Sequence, residues 1–200
     1  MKLLLRHSIR PSLQGSKIPD LVPLTDEGKQ KAYKLGQQLP KPIRYCYSSF
    51  VPRCIETLDY ILKGANQHRE IKLEDCLSDG VFTDKKIAGK YIREWSLKEA
   101  VFNICSPKTL PLGFKDIELC GKMLLDCIFI DIDNPDSIDI FCSHDFQLAI
   151  LVTLMFNENV TIDSITSAWP EMLEGISFYG NRANFTCVWR NEEKNFINYL

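Results

Sequence analysis

The chain has 200 residues, of which 45% are hydrophobic and 25% are charged, and its formal net charge at pH 7 is −2. This is the make-up of an ordinary globular protein with a sizeable core, and it predicts one domain over residues 1–200. No apolar run approaches the roughly 20 residues of a transmembrane helix. The three leucines before Arg6 are too few for the core of a signal peptide. The sequence therefore predicts an intracellular, cytoplasmic protein with no membrane partner.

Charge is spread unevenly along the chain. Residues 1–72 carry 13 Lys/Arg against 6 Asp/Glu, whereas residues 73–200 carry 11 against 20. A nucleic-acid-binding half would cluster its basic residues and interleave them with aromatic ones, but here they are scattered along predicted helices. An anion-binding pocket in the first half explains the asymmetry at least as well, so we predict no nucleic-acid partner.

The eight cysteines form no C-x-x-C pair, and a chain of this length does not need disulfides to fold. Several lie inside apolar runs such as YCYSS and DIFCSH, where a free thiol acts as a small hydrophobic side chain. Nor does any grouping of Asp, Glu, His and Cys show the spacing of metal ligands. The sequence predicts structural free thiols, no metal and no other cofactor.

In the first third of the chain, strands and helices alternate. Residues 2–6 predict a strand, and Thr25 is a suitable N-cap for a helix that runs to about Leu39, before Pro40. The segment IRYCYSS predicts a second strand. VPRCIETLDYILKG predicts a second helix, with Gly64 as the residue just beyond its last turn.

The rest of the chain continues this alternation. Residues 71–73 predict a short strand and residues 84–95 a helix. The segment DIELCGKMLLDCIFI has a helical pattern, SIDIFCS predicts a central strand, and HDFQLAILVTLMF a buried helix. EGISFYG and NFTCVWRN predict an antiparallel pair. The fold class is therefore α/β, with a mixed sheet.

Two of these strands end in histidine: LLLRHSIRP carries Arg6, His7 and Arg10, and SIDIFCS runs into His144 and Asp145. The carboxyl ends of parallel strands meet at one edge of an α/β sheet, where ligands bind. Helix N-termini also point there and favour anions. The second strand exits through SSFVPR, which brings Arg53 to the same edge. The sequence thus predicts an oxyanion site of two histidines and up to three arginines.

Four ordered segments resemble the histidine phosphatase (phosphoglycerate mutase-like) superfamily. LLRHSIRP resembles its Arg-His-Gly signature, and LTDEGKQKAYKLGQQL resembles the helix segment that follows. YSSFVPRCIETLDYI and IFCSHDFQLAIL resemble its later arginine and second-histidine segments. The resemblance implies a three-layer α/β/α sandwich with a mixed, mostly parallel sheet. It is poor over residues 65–135, the region that the family uses to select substrates.

The resemblance also implies roles for individual residues. His7 would take the phosphoryl group from a small phosphorylated substrate or a phosphoprotein, giving a phosphohistidine that water hydrolyses. The phosphate oxygens would be held by Arg6, Arg53 and His144, with Arg10 as a further contact shared with the acid-phosphatase-like branch. Imidazole is nucleophilic near pH 7, and guanidinium groups match phosphate oxygens without a metal. The implied enzyme is a metal-independent phosphomonoester hydrolase.

Two positions raise questions within this resemblance. Ser8 replaces the signature glycine and would be strained if the position required a positive φ. The general acid has two candidates, because the acid-phosphatase branch would use Asp145 and the mutase-like branch a residue near Asp79. We favour Asp145, since it follows a well-placed histidine, although Asp at that position also caps helices. Asp79, which lies near the position of the glutamate that the mutase-like branch uses, is the alternative.

Alternative functions remain. A phosphoglycerate mutase-like phosphotransferase would use the same chemistry, but the chain is short of the additional segments that those enzymes carry. A non-catalytic phosphoester-binding module would keep the arginines but would not need Asp145. A cysteine-dependent phosphatase is excluded, because Cys46 and Arg53 are separated by six residues instead of five and no glycine-rich loop joins them.

Overall fold

The computed structural model describes residues 1–13, 18–105, 110–157 and 159–200. Among these residues, seven strands form one sheet in the order β3-β2-β4-β1-β5-β6-β7. The strands are β1 (Lys2–Arg6), β2 (Ile43–Ser48), β3 (Ile71–Leu73), β4 (Ile138–Ser143), β5 (Gly175–Asn181), β6 (Asn184–Trp189) and β7 (Glu192–Ile197). The helices are α1 (Asp26–Gln38), α2 (Pro52–Gly64), α3 (Lys85–Glu94), α4 (Leu97–Cys105), α5 (Ile117–Ile128), α6 (Asp145–Phe156) and α7 (Ile162–Ser167).

The sheet has a parallel half and an antiparallel half. β3, β2, β4 and β1 are mutually parallel, whereas β1–β5, β5–β6 and β6–β7 are antiparallel. The expected mixed sheet is confirmed, but the expectation that it is mostly parallel is not met, because three of its six pairings are antiparallel. The difference comes from β7, which the sequence did not predict. Its Glu192, Glu193 and Lys194 are typical of a charged edge strand and hide the alternation of apolar residues.

Alternation along the parallel strands separates two apolar cores. Leu4 and Phe141 contribute to a core with residues of α4, α5 and α6. Their neighbours Leu5 and Cys142 point to the opposite face and pack with residues of α1 and α2. Successive side chains of a strand face opposite sides of a sheet, so the sheet lies between two helical layers. The predicted three-layer α/β/α sandwich is confirmed.

Helix ends agree with their local sequence signals. Thr25 caps α1, and its side chain accepts a hydrogen bond from the backbone N–H of Gly28 at 3.0 Å. Gly64 is the last residue of α2, Ala65 is its C-cap and Asn66, with a φ of 53°, follows, so the prediction that Gly64 lies just beyond the helix is wrong by two positions. The helix near residues 84–95 is present as α3. α4 and α7 were not predicted.

The start of α1 packs tightly against the loop that follows β1. A Cβ atom on Gly28 would lie 2.2 Å from the carbonyl oxygen of Ile9, so this position of the LTDEG segment requires glycine. The carbonyl of Gly28 accepts a hydrogen bond of 2.7 Å from the Ser8 hydroxyl. α1 therefore fixes the backbone of residues 8 and 9, next to His7.

Candidate active site

Three neighbouring parallel strands each place a polar residue just beyond their carboxyl ends, at the predicted site. His7 follows β1, Ser49 follows β2 and His144 follows β4. Backbone hydrogen bonds continue beyond the strands, from His7 N–H to the Ser143 carbonyl and from Ser49 N–H to the Cys142 carbonyl, both at 3.0 Å. The first turn of α2 adds Arg53. The topology therefore brings together side chains that are far apart in the sequence.

His7 is buried, with 2% of its surface exposed. Its Nδ1 lies 2.7 Å from the Ser8 carbonyl oxygen. Because a carbonyl only accepts hydrogen bonds, Nδ1 carries the proton and donates it. The lone pair of Nε2 accepts a hydrogen bond of 3.1 Å from Arg53 Nε. The pKa of His7 is lowered to about 2, most of all by burial and also by the nearby His144, Arg53 and Arg6, while the hydrogen bond to the Ser8 carbonyl acts in the opposite direction. The ring is thus neutral, with its lone pair directed at a cation.

His144 lies on the other side of the Arg53 guanidinium. Arg53 Nη2 is 3.2 Å from His144 Nδ1, and a guanidinium only donates, so this nitrogen accepts. His144 Nε2 then donates to the Ser49 hydroxyl at 2.9 Å. The centroids of the two imidazole rings are 5.4 Å apart. Arg53 is therefore placed between two imidazoles and is itself nearly buried, with 7% of its surface exposed.

The other two predicted arginines lie at the same sheet edge. Arg6 is buried and forms an ion pair of 2.9 Å with Asp145, and it donates to the Pro170 carbonyl at 2.7 Å. Arg10 donates to the Pro11 carbonyl at 2.9 Å. Burial lowers the pKa of Arg10, as do the positive charges of Arg53 and Arg6, while Asp145 opposes them. Arg10 is therefore close enough to Arg53, Arg6 and Asp145 for their charges to change its pKa.

Both candidate general acids line one cavity of about 200 Å³, together with Arg53 and His144. Asp145 is the first residue of α6, and its Oδ1 accepts a hydrogen bond from the Phe146 N–H at 3.0 Å while Oδ2 pairs with Arg6. Asp79 is more exposed and forms an ion pair of 2.9 Å with Lys85. The geometry brings both carboxylates to the site, and Asp145 remains the predicted acid.

Ser8 is accommodated without backbone strain. Its φ is not positive, and its buried hydroxyl donates a hydrogen bond to the Gly28 carbonyl. Its backbone N–H donates to Thr57 Oγ1 at 2.9 Å, and the Thr57 hydroxyl donates to the Arg53 carbonyl at 2.7 Å. Thr57 therefore joins the loop of the nucleophile candidate to the helix that carries Arg53.

Some residues that support the site were missed in the sequence. Ser49 holds His144, and the buried Gln147 donates to the carbonyl of Ser78, next to Asp79. Ser143 Oγ donates to the Leu77 carbonyl at 2.6 Å. Ser49 was within reach of sequence reasoning, because a hydroxyl that directly follows a buried strand lies at the ligand edge. Gln147 gave no signal inside an apolar helix.

The cysteines and possible metal ligands lie apart from this chemistry in all but one case. All eight cysteines are free thiols, and Cys54 Sγ lies 3.7 Å from His144 Nε2. Within the described ranges, one group of three side chains has the proximity of metal ligands, namely Glu74, Cys76 and Cys127. It contains none of the predicted site residues. It was not visible in the sequence, because Cys127 lies some fifty positions beyond Cys76.

No helix in the described part of the chain is long and apolar enough to cross a membrane.

A comparison with family models supports the sequence resemblance. The model described as "Histidine phosphatase superfamily (branch 1)" matches residues 4–98. This range begins within β1 and contains α1, β2 and α2, and it includes His7 and Arg53. No curated protein sequence matches the chain.

Solved structures share the fold over nearly the whole chain. Mycobacterial hydrolase 1 is 11% identical with a TM-score of 0.60, and the match covers 99% of this chain and 97% of that one. Phosphoglycerate mutase from Bacillus anthracis is 17% identical with a TM-score of 0.56, covering 98% and 91%. The ecdysone phosphate phosphatase of Bombix mori, solved with tungstate, is 15% identical with a TM-score of 0.55, covering 90% and 88%. Together with the family model, these matches confirm the predicted resemblance and the phosphoglycerate mutase-like fold.

Proposed function

We propose that this protein, which resembles the histidine phosphatase superfamily in sequence and in fold, is a phosphomonoester hydrolase that works through a phosphohistidine on His7. The observation that carries the proposal is the state of His7. Its ring is neutral, its proton is on Nδ1, and the Nε2 lone pair faces Arg53. A nucleophile needs that lone pair, and a phosphoryl group needs the cations that surround it.

In the proposed reaction, His7 Nε2 attacks the phosphorus as the bond from phosphorus to the ester oxygen breaks. The donors of Arg53, Arg6 and His144 turn to the equatorial phosphate oxygens, and Arg10 adds positive charge. The leaving oxygen takes a proton from a carboxylic acid, for which we infer Asp145. Water then attacks the phosphohistidine and gives a proton to the Asp145 carboxylate, which releases inorganic phosphate, regenerates neutral His7 and restores the carboxylic acid.

The remaining assignments follow from this function. We infer that residues 65–135 select the substrate, because Asp79, Phe82 and Lys85 from this region line the cavity beside Arg53. Residues 106–109 of that region lie outside the described residues. The arginines neutralise the phosphate, so we infer that catalysis needs no metal. Eight free thiols fit a reducing compartment, which supports a cytoplasmic location.

A labelled phosphoenzyme is the direct test. The protein is mixed with 32P-labelled substrate, denatured without acid and digested. We expect an adduct that survives alkali, is lost in acid and maps to His7. The variant His7→Gln should show no adduct, and its kcat should fall on the order of 10⁴-fold, because the nucleophile is gone. An adduct on cysteine, or one that persists in the variant, would overturn the proposal.

The alternatives give different outcomes. A phosphoester-binding module would bind phosphate without turnover and without an adduct. A mutase-like phosphotransferase would form the adduct but return the phosphoryl group to an acceptor alcohol faster than to water. Measuring released phosphate and transferred phosphate in the same reaction therefore separates all three.

A further inference from the structure

The cavity beside Arg53 and His144 has an apolar side. The described residues that form it are Val51, Phe82, Ile92, Leu97 and Phe146. Phe146 and Val51 are buried, with 4% and 9% of their surfaces exposed. The other three are half-buried and pack against the larger core. A phosphoryl group held by Arg53 and His144 would thus have apolar surface next to it.

Part of this surface is an organised aromatic cluster. The rings of Phe82 and Phe146 stack with centroids 5.9 Å apart and an interplanar angle of 17°. Phe114 braces Phe82 edge-on, with centroids at 5.6 Å, and its backbone pairs with that of Phe82. Phe146 follows Asp145 directly in the chain. An aromatic wall is therefore fixed in position beside a candidate proton donor.

Apart from Arg53, His144 and Asp145, the charged side chains that line this cavity are two carboxylates and one lysine. Lys85 lies between two carboxylates, 2.9 Å from Asp79 and 3.3 Å from Asp20. Its charge is thus already matched, and one carboxylate remains in excess at this end. An additional anionic group on a substrate would meet like charge there, which selects against it.

The volume of the cavity sets a size limit. At about 200 Å³ it falls below the roughly 300–1,000 Å³ of pockets that enclose drug-sized ligands. The space beside the phosphate-binding side chains therefore suits a small leaving group.

We propose that the site hydrolyses phosphomonoesters of small apolar alcohols, aromatic ones above all, and discriminates against esters that carry a second anionic group. The proposal rests on the hydrolase function inferred above. The bond to the ester oxygen breaks as His7 Nε2 bonds to phosphorus, the alcohol leaves with a proton from the carboxylic acid, and water completes the hydrolysis. The apolar wall binds the organic part of the ester throughout.

Three alkyl esters test this directly. Benzyl phosphate and glycerol 3-phosphate are both esters of primary alcohols, so their leaving groups are similarly poor, but only benzyl phosphate can use the aromatic wall. We expect its kcat/KM to be at least about tenfold higher, the effect of a modest apolar contact. 3-Phosphoglycerate adds a carboxylate to the glycerol skeleton and should be hydrolysed several-fold more slowly than glycerol 3-phosphate. Equal rates for benzyl and glycerol esters, or a preference for 3-phosphoglycerate, would overturn the proposal.

Variants locate the preference on the cavity wall. Leu97→Asn keeps the size of the side chain and changes its polarity at the first residue of α4, where a polar residue is tolerated. It should lower the kcat/KM for benzyl phosphate more than that for glycerol 3-phosphate, so that the benzyl-to-glycerol ratio falls several-fold. Phe82→Leu should do the same more strongly. The matched control is Leu119→Asn, near the start of α5 and away from the cavity, which should leave the ratio unchanged.

Failure of this proposal can be distinguished from failure of the hydrolase function. 4-Nitrophenyl phosphate reports basal hydrolysis, because its leaving group departs unaided. If it is hydrolysed through a His7 adduct but the benzyl preference is absent, only the substrate class is wrong. If no ester is hydrolysed and no adduct forms, the hydrolase function itself is wrong.

Discussion

The two ends of β1 hold buried cations in opposite ways. At its amino end, Lys2 pairs in register with Asp139 of β4, and the two side chains form an ion pair of 3.2 Å. Arg44 reaches the same carboxylate through Nε at 2.8 Å. At the carboxyl end, Arg6 pairs with Asp145, but Arg53 lies between two imidazoles and Arg10 contacts a carbonyl.

This difference separates the charges that are paired within the fold from those that we propose to bind an anion. Buried charges are costly unless they are paired, and the amino end pairs them through Asp139, only 1% of which is exposed. At the carboxyl end, three arginines lie close enough to interact, because the positive charges of Arg53 and Arg6 lower the pKa of Arg10 while Asp145 opposes them. An excess of positive charge at a sheet edge is favourable only when an anion occupies it. The imbalance therefore supports an oxyanion site at this end.

The largest effect on activity is expected when Asp145, at the carboxyl end of β1, loses its carboxylate. If Asp145 is a proton donor, Asp145→Asn should slow hydrolysis of benzyl phosphate by roughly 10²- to 10⁴-fold. Hydrolysis of 4-nitrophenyl phosphate should fall far less, because its leaving group needs no proton. Steady-state kinetics with both esters measures this split.

Asp79→Asn serves as the matched control, since Asp79 lines the same cavity. It should slow both esters by similar small factors. The reverse pattern would assign the proton to Asp79. If Asp145→Asn slowed the hydrolysis of both esters equally, Asp145 would act only as the structural ion-pair partner of Arg6. The carboxylates at the two ends of β1 would then have the same role.

Substitution of Asp139, at the amino end of β1, should reduce stability instead of activity. Asp139→Asn leaves the buried Lys2 and the partly exposed Arg44 without their counter-charge, and the loss of the buried pair should lower the free energy of unfolding by roughly 3–5 kcal/mol. The kcat/KM of the folded fraction should not change, because the site lies at the other end of the strand. Urea denaturation followed by assays at low temperature tests both statements. A loss of activity without a loss of stability would contradict the comparison.

Arg53→Ala should show the opposite profile. Removing a buried cation that we propose to bind the phosphate should lower kcat/KM by about 30- to 1000-fold, or roughly 2–4 kcal/mol. Arg10→Ala should cost less, because Arg10 is more exposed and hydrogen-bonds to a neighbouring carbonyl instead of to His7 or His144. Neither variant should lose as much stability as Asp139→Asn. If Arg10→Ala is the more damaging variant, the cluster binds its anion differently.

The sequence predicted the layers of the fold better than its edges. Apolar runs predicted β1, β2 and β4. The N-cap residue Thr25, followed by Asp26 and Glu27, is typical of the start of a helix and marks α1. α4 was missed although Ser96 and Glu99 form a reciprocal cap, with hydrogen bonds of 3.2 Å and 2.7 Å, a signal that the sequence contained. β7 was missed for a physical reason, since an exposed edge strand needs no apolar alternation.

The candidate site followed from topology and resemblance, but its hydrogen bonds did not. Strands that end in histidine predicted that His7 and His144 would meet. Nothing in the sequence indicated that Arg53 would lie between them, that Thr57 would hold Ser8, or that Gln147 would hold the loop before Asp79. Such contacts depend on packing between distant segments, which no local pattern encodes.

The smallest expected effect concerns acid stability and again arises from the carboxyl end of β1. His7 has a pKa of about 2 in the folded protein and near 6.5 when unfolded. Between these values the unfolded chain binds a proton that the folded protein does not, so stability falls as the pH drops below 6.5. The loss is about 1.4 kcal/mol per pH unit, or roughly 2 kcal/mol between pH 6.5 and pH 5.

Removing the His7 ring tests this linkage. Urea denaturation at pH 6.5 and pH 5 should show a drop in the free energy of unfolding that is smaller by about 2 kcal/mol in His7→Gln than in the wild type. His68→Gln, which removes an exposed histidine, is the matched control and should lose as much as the wild type. A drop that persists in His7→Gln would mean that other groups cause the acid sensitivity. A smaller drop would show that the carboxyl end holds a neutral imidazole among cations at a cost to the fold, which the paired charges of the amino end avoid.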